Sequence, residues 1–209
     1  MFFAIFSMIV LMIVLMIVLI IIVIILIVSE IKKIKLDDIF ESPQKRAGKK
    51  GEFFATNVIK STLREDDLLF TNINISYDGR PAELDNVVVN QYGIFIIEVK
   101  NYSGKLVGTE DDYEWQKYHT TPSGNTYFKM VKNPIKQVKR QVYILAKYLY
   151  FYGVDVWVSG FAFLINRNSP VVSEYVLTDI NDIDKVIHNS NRNRLTPKTI
   201  EKIASILSK

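Results

Sequence analysis

Asp85, Glu98 and Lys100 are residues whose types and spacing could do chemistry. They stand in the stretch Glu83 to Asn101, where two apolar, β-branched runs flank Asn90-Gln91-Tyr92-Gly93, the pattern of a β-hairpin. A turn of two or four residues centred between Gln91 and Tyr92 pairs Val89 with Ile94 and sets Asp85 opposite Glu98. A three-residue loop would shift the register and break that pairing. Directly opposed residues share a face with Cβ atoms about 4.5–5.5 Å apart, and Lys100, two residues beyond Glu98, points the same way. Two close carboxylates repel unless a proton or a cation neutralises them. A divalent ion answers that problem, and oxygen-only ligands favour Mg²⁺, Mn²⁺ or Ca²⁺ over zinc. The same charges also suit an edge hairpin with ordinary surface ion pairs, and spacing alone does not choose.

These side chains need a scaffold. Apolar spacing predicts a helix from near Gly48 to Leu63, with Phe53, Phe54, Val58, Ile59 and Leu63 as its buried side. Glu52 falls in its first turn, where an acid complements the helix dipole. Leu68 to Ser76 reads as a strand and Asp78-Gly79-Arg80-Pro81 as a turn. Gly104 to Val107 and Trp115 to His119 read as further strands, with Thr109 to Asp112 as an acidic turn between them and Trp115 in the core. Pro122 to Asn125 is another turn. Asn133-Pro134 opens a long helix to about Tyr152, Pro134 taking the favourable first position. Its stripe is Ile135, Val138, Val142, Leu145, Leu149 and Tyr152, and Gln137 lies off it. Val154 to Ile165 is apolar enough for a buried central strand, followed by a short strand at Tyr175 to Leu177. A helix over Asp179 to Ile187 and a last one after Thr196-Pro197, carrying Ile200, Ile203, Ile206 and Leu207, complete the chain. The expected class is α/β with a mixed central sheet flanked by helices.

Several words of this sequence resemble the nuclease-related domain, or NERD, within the PD-(D/E)xK nuclease superfamily. They are Gly48-Lys49-Lys50-Gly51-Glu52, Glu83-Leu84-Asp85, Gly93 to Asn101, Gly104, Trp115 and Asn133-Pro134-Ile135-Lys136-Gln137. The resemblance spans roughly Gly48 to Leu164. It implies a restriction-endonuclease-like core and a Mg²⁺- or Mn²⁺-dependent nuclease acting on DNA, with RNA as the alternative. Asp85 and Glu98 would hold the metal, Glu52 would join them directly or through water, and Lys100 and Gln137 would complete the catalytic set. Without the resemblance, Glu52 is a plain dipole-matching acid and Gln137 a surface glutamine. A competing reading is a non-catalytic, membrane-tethered module on the same fold that binds nucleic acid or protein.

Charge is unevenly spread. Between Trp115 and Val154 there is no acid but seven bases: Lys117, Lys129, Lys132, Lys136, Lys139, Arg140 and Lys147. Such a run is ordinarily a solvated face; beside a metal site it suits phosphates. Lys132, Lys136, Arg140 and Lys147 are the expected nucleic-acid contacts. The chain as a whole carries only +4, and residues 32–50 alone account for the same excess. Global basicity is therefore no argument for nucleic acid. Absence of cysteine excludes disulfides and thiolate metal sites. His119 and His188 are too far apart in sequence to offer a zinc-ligand spacing.

Phe2 to Val28 is uncharged, with Ser7 its one polar residue. At about 1.5 Å per residue this run makes about 40 Å of helix, against a hydrocarbon core of about 30 Å. It lacks the basic n-region and small-residue cleavage site of a signal peptide. The expected domains are a transmembrane anchor over 1–29, a basic juxtamembrane linker over 30–47 and the catalytic domain over 48–209. Lys32, Lys33 and Lys35 follow the apolar run, so the C-terminal part should face the cytoplasm as part of a single-pass membrane protein. Those lysines should also meet anionic lipid headgroups.

Overall fold

Val87, Val88 and Val89, and Ile94, Phe95, Ile96 and Ile97 across the turn, are all buried. A hairpin apolar on both faces needs a layer against each of them, and the chain supplies two. The computed structural model describes residues 12–13, 15–29, 43–189 and 194–208. The chain forms two compact units, Met1–Arg46 and Ala47–Lys209.

In chain order, helix α1 (Pro43–Thr62) precedes strands β1 (Leu68–Tyr77), β2 (Arg80–Asn90) and β3 (Gly93–Lys100). Three shorter strands follow: β4 (Lys105–Val107), β5 (Glu114–Thr120) and β6 (Thr126–Lys132). Helix α2 (Pro134–Phe151), β7 (Val158–Leu164), β8 (Val176–Leu177), α3 (Ile180–His188) and α4 (Pro197–Leu207) complete the order. The main sheet runs β1-β2-β3-β7-β8. Its first three strands are antiparallel neighbours, and β7 and β8 join in parallel. This is the expected mixed sheet flanked by helices.

Alternation along β2 and β3 sorts the core into two layers. Val87, Val89, Ile94 and Ile96 pack with Ile144, Leu145 and Leu149 of α2 and Ile203, Ile206 and Leu207 of α4. Val88, Phe95, Ile97 and Val99 pack with Ala55 and Ile59 of α1 and Ile183 and Ile187 of α3. Each of the last three helices starts on a side-chain cap. Asn133 accepts the Ile135 N–H, Asp179 the Asn181 N–H and Thr196 the Thr199 N–H, each satisfying an otherwise orphaned amide.

Small residues decide how closely the helices approach. Gly51 is buried on α1, and a Cβ there would lie 2.7 Å from Asn101 Cβ. The inner face of α1 is thus Gly51, Ala55 and Ile59, each four residues apart. Phe53 and Phe54, expected inside, are 72% and 55% exposed. They point away because the shortest side chains, not the largest, permit contact with the sheet. On the other face, a Cβ on Gly160 of β7 would come 2.5 Å from both Val138 Cγ1 and Val142 Cγ2 of α2. Tyr152, expected on the α2 stripe, lies past the helix end and is 37% exposed; Gln141 and Ile144 are buried instead.

The strands between β3 and α2 do not extend the main sheet. They form a separate antiparallel sheet, β4-β5-β6, and β6 occupies residues the sequence left as connection after the Pro122–Asn125 turn. Leu106 and the fully buried Trp115 tie this sheet to Ile135 of α2 and Leu164 of β7. The Trp115 indole N–H donates to Thr109 O at 2.8 Å.

In the N-terminal unit, residues 15–29 are helical and their apolar side chains are exposed. Among the described residues no helix is long and apolar enough to cross a membrane. Residues 2–11 and 14 of the apolar run, Met1, Lys32, Lys33, Lys35 and the rest of 30–42 lie outside the described residues.

Gly160→Ala should force α2 off β7, because branched valines have no long flexible end to swing aside. The expected cost is about 1–3 kcal/mol, read as a melting temperature several degrees lower. An unchanged melting temperature would show that the helix seats by other contacts.

Candidate active site

β2 and β3 pair with Val89 opposite Ile94 across the two-residue turn Gln91-Tyr92. The ladder runs to Asn86 opposite Ile97 and stops one step short of Asp85. On the other side, β1 pairs Thr71 with Asn86 and Ile73 with Leu84, again skipping Asp85. The skipped residue of β1, Asn72, has a φ of 53°, a left-handed conformation that asparagine tolerates better than most residues. Released from both ladders, Asp85 turns its carboxylate to the neighbouring strand, where Oδ2 accepts the Val99 N–H at 2.8 Å. The expected Val89–Ile94 register is observed, but the expected Asp85–Glu98 pair lies one step beyond the end of the ladder.

Glu98 is 2% exposed. Its Oε1 accepts from Lys100 Nζ at 2.6 Å and from Gln137 Nε2 at 2.5 Å. Its Oε2 accepts from Gln141 Nε2 at 2.6 Å. An ionised side chain this deep requires such a set of donors. Both glutamines come from α2 one turn apart, so a single helix grips both oxygens. Gln141 Nε2 also donates to Glu83 O at 2.8 Å. Both its partners are acceptors, which fixes which end of the amide faces them.

Gln141 was not anticipated. The available signal was its position four residues after Gln137, a polar residue within an apolar helical stripe. Its Oε1 is buried without a hydrogen-bond partner among the described residues, an orphaned acceptor beside the carboxylates.

Electrostatics follow from this burial. Asp85 is pushed up to about 7, first by desolvation and then by the Glu98 carboxylate, with Glu52 adding to the rise. The Val99 N–H and Lys100 pull the other way without cancelling it. For Lys100, burial disfavours the ammonium, but the attraction of Glu98 and the hydrogen bond to it outweigh burial and raise the pKa above its usual value. In the metal-free site Lys100 is therefore a charged donor to Glu98. Tyr102 is raised too, chiefly by burial.

The donor set suits a hard cation. Oxygen ligands predominate, two carboxylates share one face, and Gln141 Oε1 lacks a partner. Mg²⁺ commonly takes one or two carboxylates and completes its shell with water. Glu52 is near enough to act on Asp85. Among the described residues, however, no three His, Cys, Asp or Glu side chains converge as a metal-holding group. Asp85 and Glu98 would carry the ion, with Glu52 acting on Asp85 from α1.

The expected phosphate contacts divide. Lys136, Arg140 and Lys147 step by four and seven along α2 and are exposed on one stripe. Arg140 also donates to Pro81 O at 2.8 Å. Lys132 is exposed at the end of β6. Lys139 lies off the stripe, 3.6 Å from Glu110 and over the Tyr175 ring.

Residues 47–165 match the nuclease-related domain. The chain belongs to the NERD family. The match contains all five expected site residues and runs from α1 to just past β7, leaving β8, α3 and α4 outside it. Neither the curated proteins nor the solved structures searched contain a match to this chain. The candidate site, drawn from α1, β2, β3 and α2, lies wholly inside the matched segment.

A raised carboxyl pKa in the folded state means that the native protein binds the proton more tightly than the unfolded chain. Asp85 therefore destabilises the metal-free fold progressively as pH rises from about 4 through about 7. The slope reaches at most about 1.4 kcal/mol per pH unit. Thermal melts in chelator should show wild type losing stability over this window and Asp85→Asn losing less. Parallel profiles for the two proteins would refute the assignment.

Proposed function

We propose that this NERD protein is a membrane-anchored, metal-dependent nuclease that hydrolyses phosphodiester bonds of DNA, with RNA as the alternative substrate. The observation that carries the reading is the convergence of Asp85, Glu98 and Lys100 on one face, with Gln137 and Lys100 sharing the same Glu98 oxygen. Mg²⁺ or Mn²⁺, held by Asp85 and Glu98, would supply Lewis acidity and a water of lowered pKa.

The protein's own groups have separable roles. Glu98 is pre-oriented by Gln137 and Gln141, so no rearrangement of β3 is needed to present it. Lys100 holds a positive charge where negative charge develops on the phosphorane, the kind of contact that matters most in the transition state. Gln137 reaches Glu98 through its Nε2 and would orient water with its amide oxygen, or phosphate with the second Nε2 hydrogen. Lys132, Lys136, Arg140 and Lys147 would neutralise backbone phosphates collectively.

The full chain in detergent should cleave nucleic acid with Mg²⁺ or Mn²⁺ and stop with chelator. Asp85→Asn and Glu98→Gln should each abolish cleavage in a folded protein. Lys100→Ala should leave binding nearly unchanged and reduce turnover by about 10²-fold or more. Charge reversal at Lys136 and Arg140 should do the opposite, weakening binding and flattening its salt dependence. Salt-dependent binding by a wild type that cleaves nothing would favour the non-catalytic module.

The membrane part of the proposal rests on the uncharged run Phe2 to Val28 and on Lys32, Lys33 and Lys35 after it. These residues would place one span in the bilayer, lysines at anionic headgroups, and the nuclease domain in the cytoplasm. Protease added outside intact cells should spare the domain and digest it only after lysis. Digestion before lysis would reverse the orientation.

A further inference from the structure

Apart from Lys132 at the end of β6, the β4-β5-β6 sheet has no part in the chemistry described so far, yet one of its faces begins beside the active site. Its register opposes Trp115 to Val131, Lys117 to Lys129 and His119 to Tyr127, and Leu106 of β4 stands opposite Lys117. By alternation these side chains share a face. At its inner end, Leu106, Trp115 and Val131 pack with Ile135 and Leu164. At its outer end, Lys117, Lys129, His119 and Tyr127 continue beyond that packing, and Tyr127 is 56% exposed.

Two features of this outer end call for a ligand. Lys117 and Lys129 oppose each other directly, an unfavourable pairing of like charges. Among the described residues neither forms an ion pair, and burial and Lys129 together lower the pKa of Lys117. Beside them the His119 and Tyr127 rings stack with centroids 5.4 Å apart and planes at 25°, a flat aromatic step next to two unneutralised cations. The path back to the site is continuous. Lys117 Nζ sits 5.6 Å from the Tyr102 ring centroid, and Tyr102 lies close enough to Lys100 and Glu98 to feel both charges.

We infer that this face is a track for single-stranded nucleic acid, taking phosphates at Lys117 and Lys129 and a base on the His119–Tyr127 step. Paired cations with an aromatic platform are how proteins hold single strands, because each unpaired base offers a π-face. A duplex buries those faces in its own stack. The inference rests on the nuclease reading only for what happens at the track's inner end.

The test is fluorescence anisotropy with the full chain in detergent and chelator, using labelled oligothymidylate and a duplex of equal length at two salt concentrations. Tyr127→Leu keeps bulk on the strand but removes the ring, and should weaken single-strand binding about tenfold or more. Tyr127→Phe should bind like wild type. Lys117→Ala with Lys129→Ala should make the single-strand log–log salt slope shallower by about 1.4, the contribution of two phosphates. Duplex affinity should change little in any variant. Wild type that ignores the single strand, or variants that hold it as tightly as wild type, would overturn the track. If those variants bind normally while wild type cleaves with Mg²⁺, the track fails and the nuclease stands. If wild type cleaves nothing but the tyrosine and lysine effects on binding appear, the nuclease reading fails and the track stands.

Discussion

The buried carboxylate of Glu98 is the constraint around which this NERD domain is arranged. An ion at this depth is stable only if nearly all its hydrogen-bonding capacity is met, and its donors come from two elements. Lys100 arrives from its own strand, two residues on, and Gln137 and Gln141 arrive from α2. The helix and the hairpin must therefore keep their spacing, and every feature that controls that spacing bears on the site. A carboxylate so held is also pre-oriented. What stabilises the apo fold and what the proposed chemistry needs are the same set of contacts.

Asp85 is treated differently. Its neighbours leave it short of compensation: one backbone N–H, a lysine already committed to Glu98, and a second acid on α1. The result is a carboxyl poised near neutrality. The two acids of the hairpin thus differ in environment although they sit side by side, one satisfied by donors and the other left with charge to be neutralised from outside. That asymmetry is what an incoming cation would relieve, and it arises because Asp85 sits where both ladders lapse, at Asn72.

Close approach depends on what is missing as much as on what is present. Gly51 lets α1 close on Asn101, just past β3, and Gly160 lets α2 reach β7, at distances no Cβ would permit. Gly51 sits beside Glu52, and Gly160 lies against the two valines that alternate with Gln137 and Gln141. The glycines set where the polar side chains arrive.

Much of this was legible in local sequence. Two apolar runs about a short turn specify a hairpin, its register follows from turn length, and period-two alternation puts Asp85, Glu98 and Lys100 on one face. The helix starts at Pro134, Ile180 and Pro197 rest on Asn133, Asp179 and Thr196, whose side chains cap within a few residues. These are short-range effects. Tertiary structure decided which face of each helix is inside. Apolar size suggested Phe53, Phe54 and Tyr152, but contact is made where backbones come closest, so Gly51, Ala55 and Gln141 are inside. It also decided that β4, β5 and β6 form their own sheet, since strand propensity does not say which strands pair. Gln141 shows the physical reason most plainly: a glutamine in an apolar stripe is a liability until a buried carboxylate faces it, and only the folded chain brings the two together.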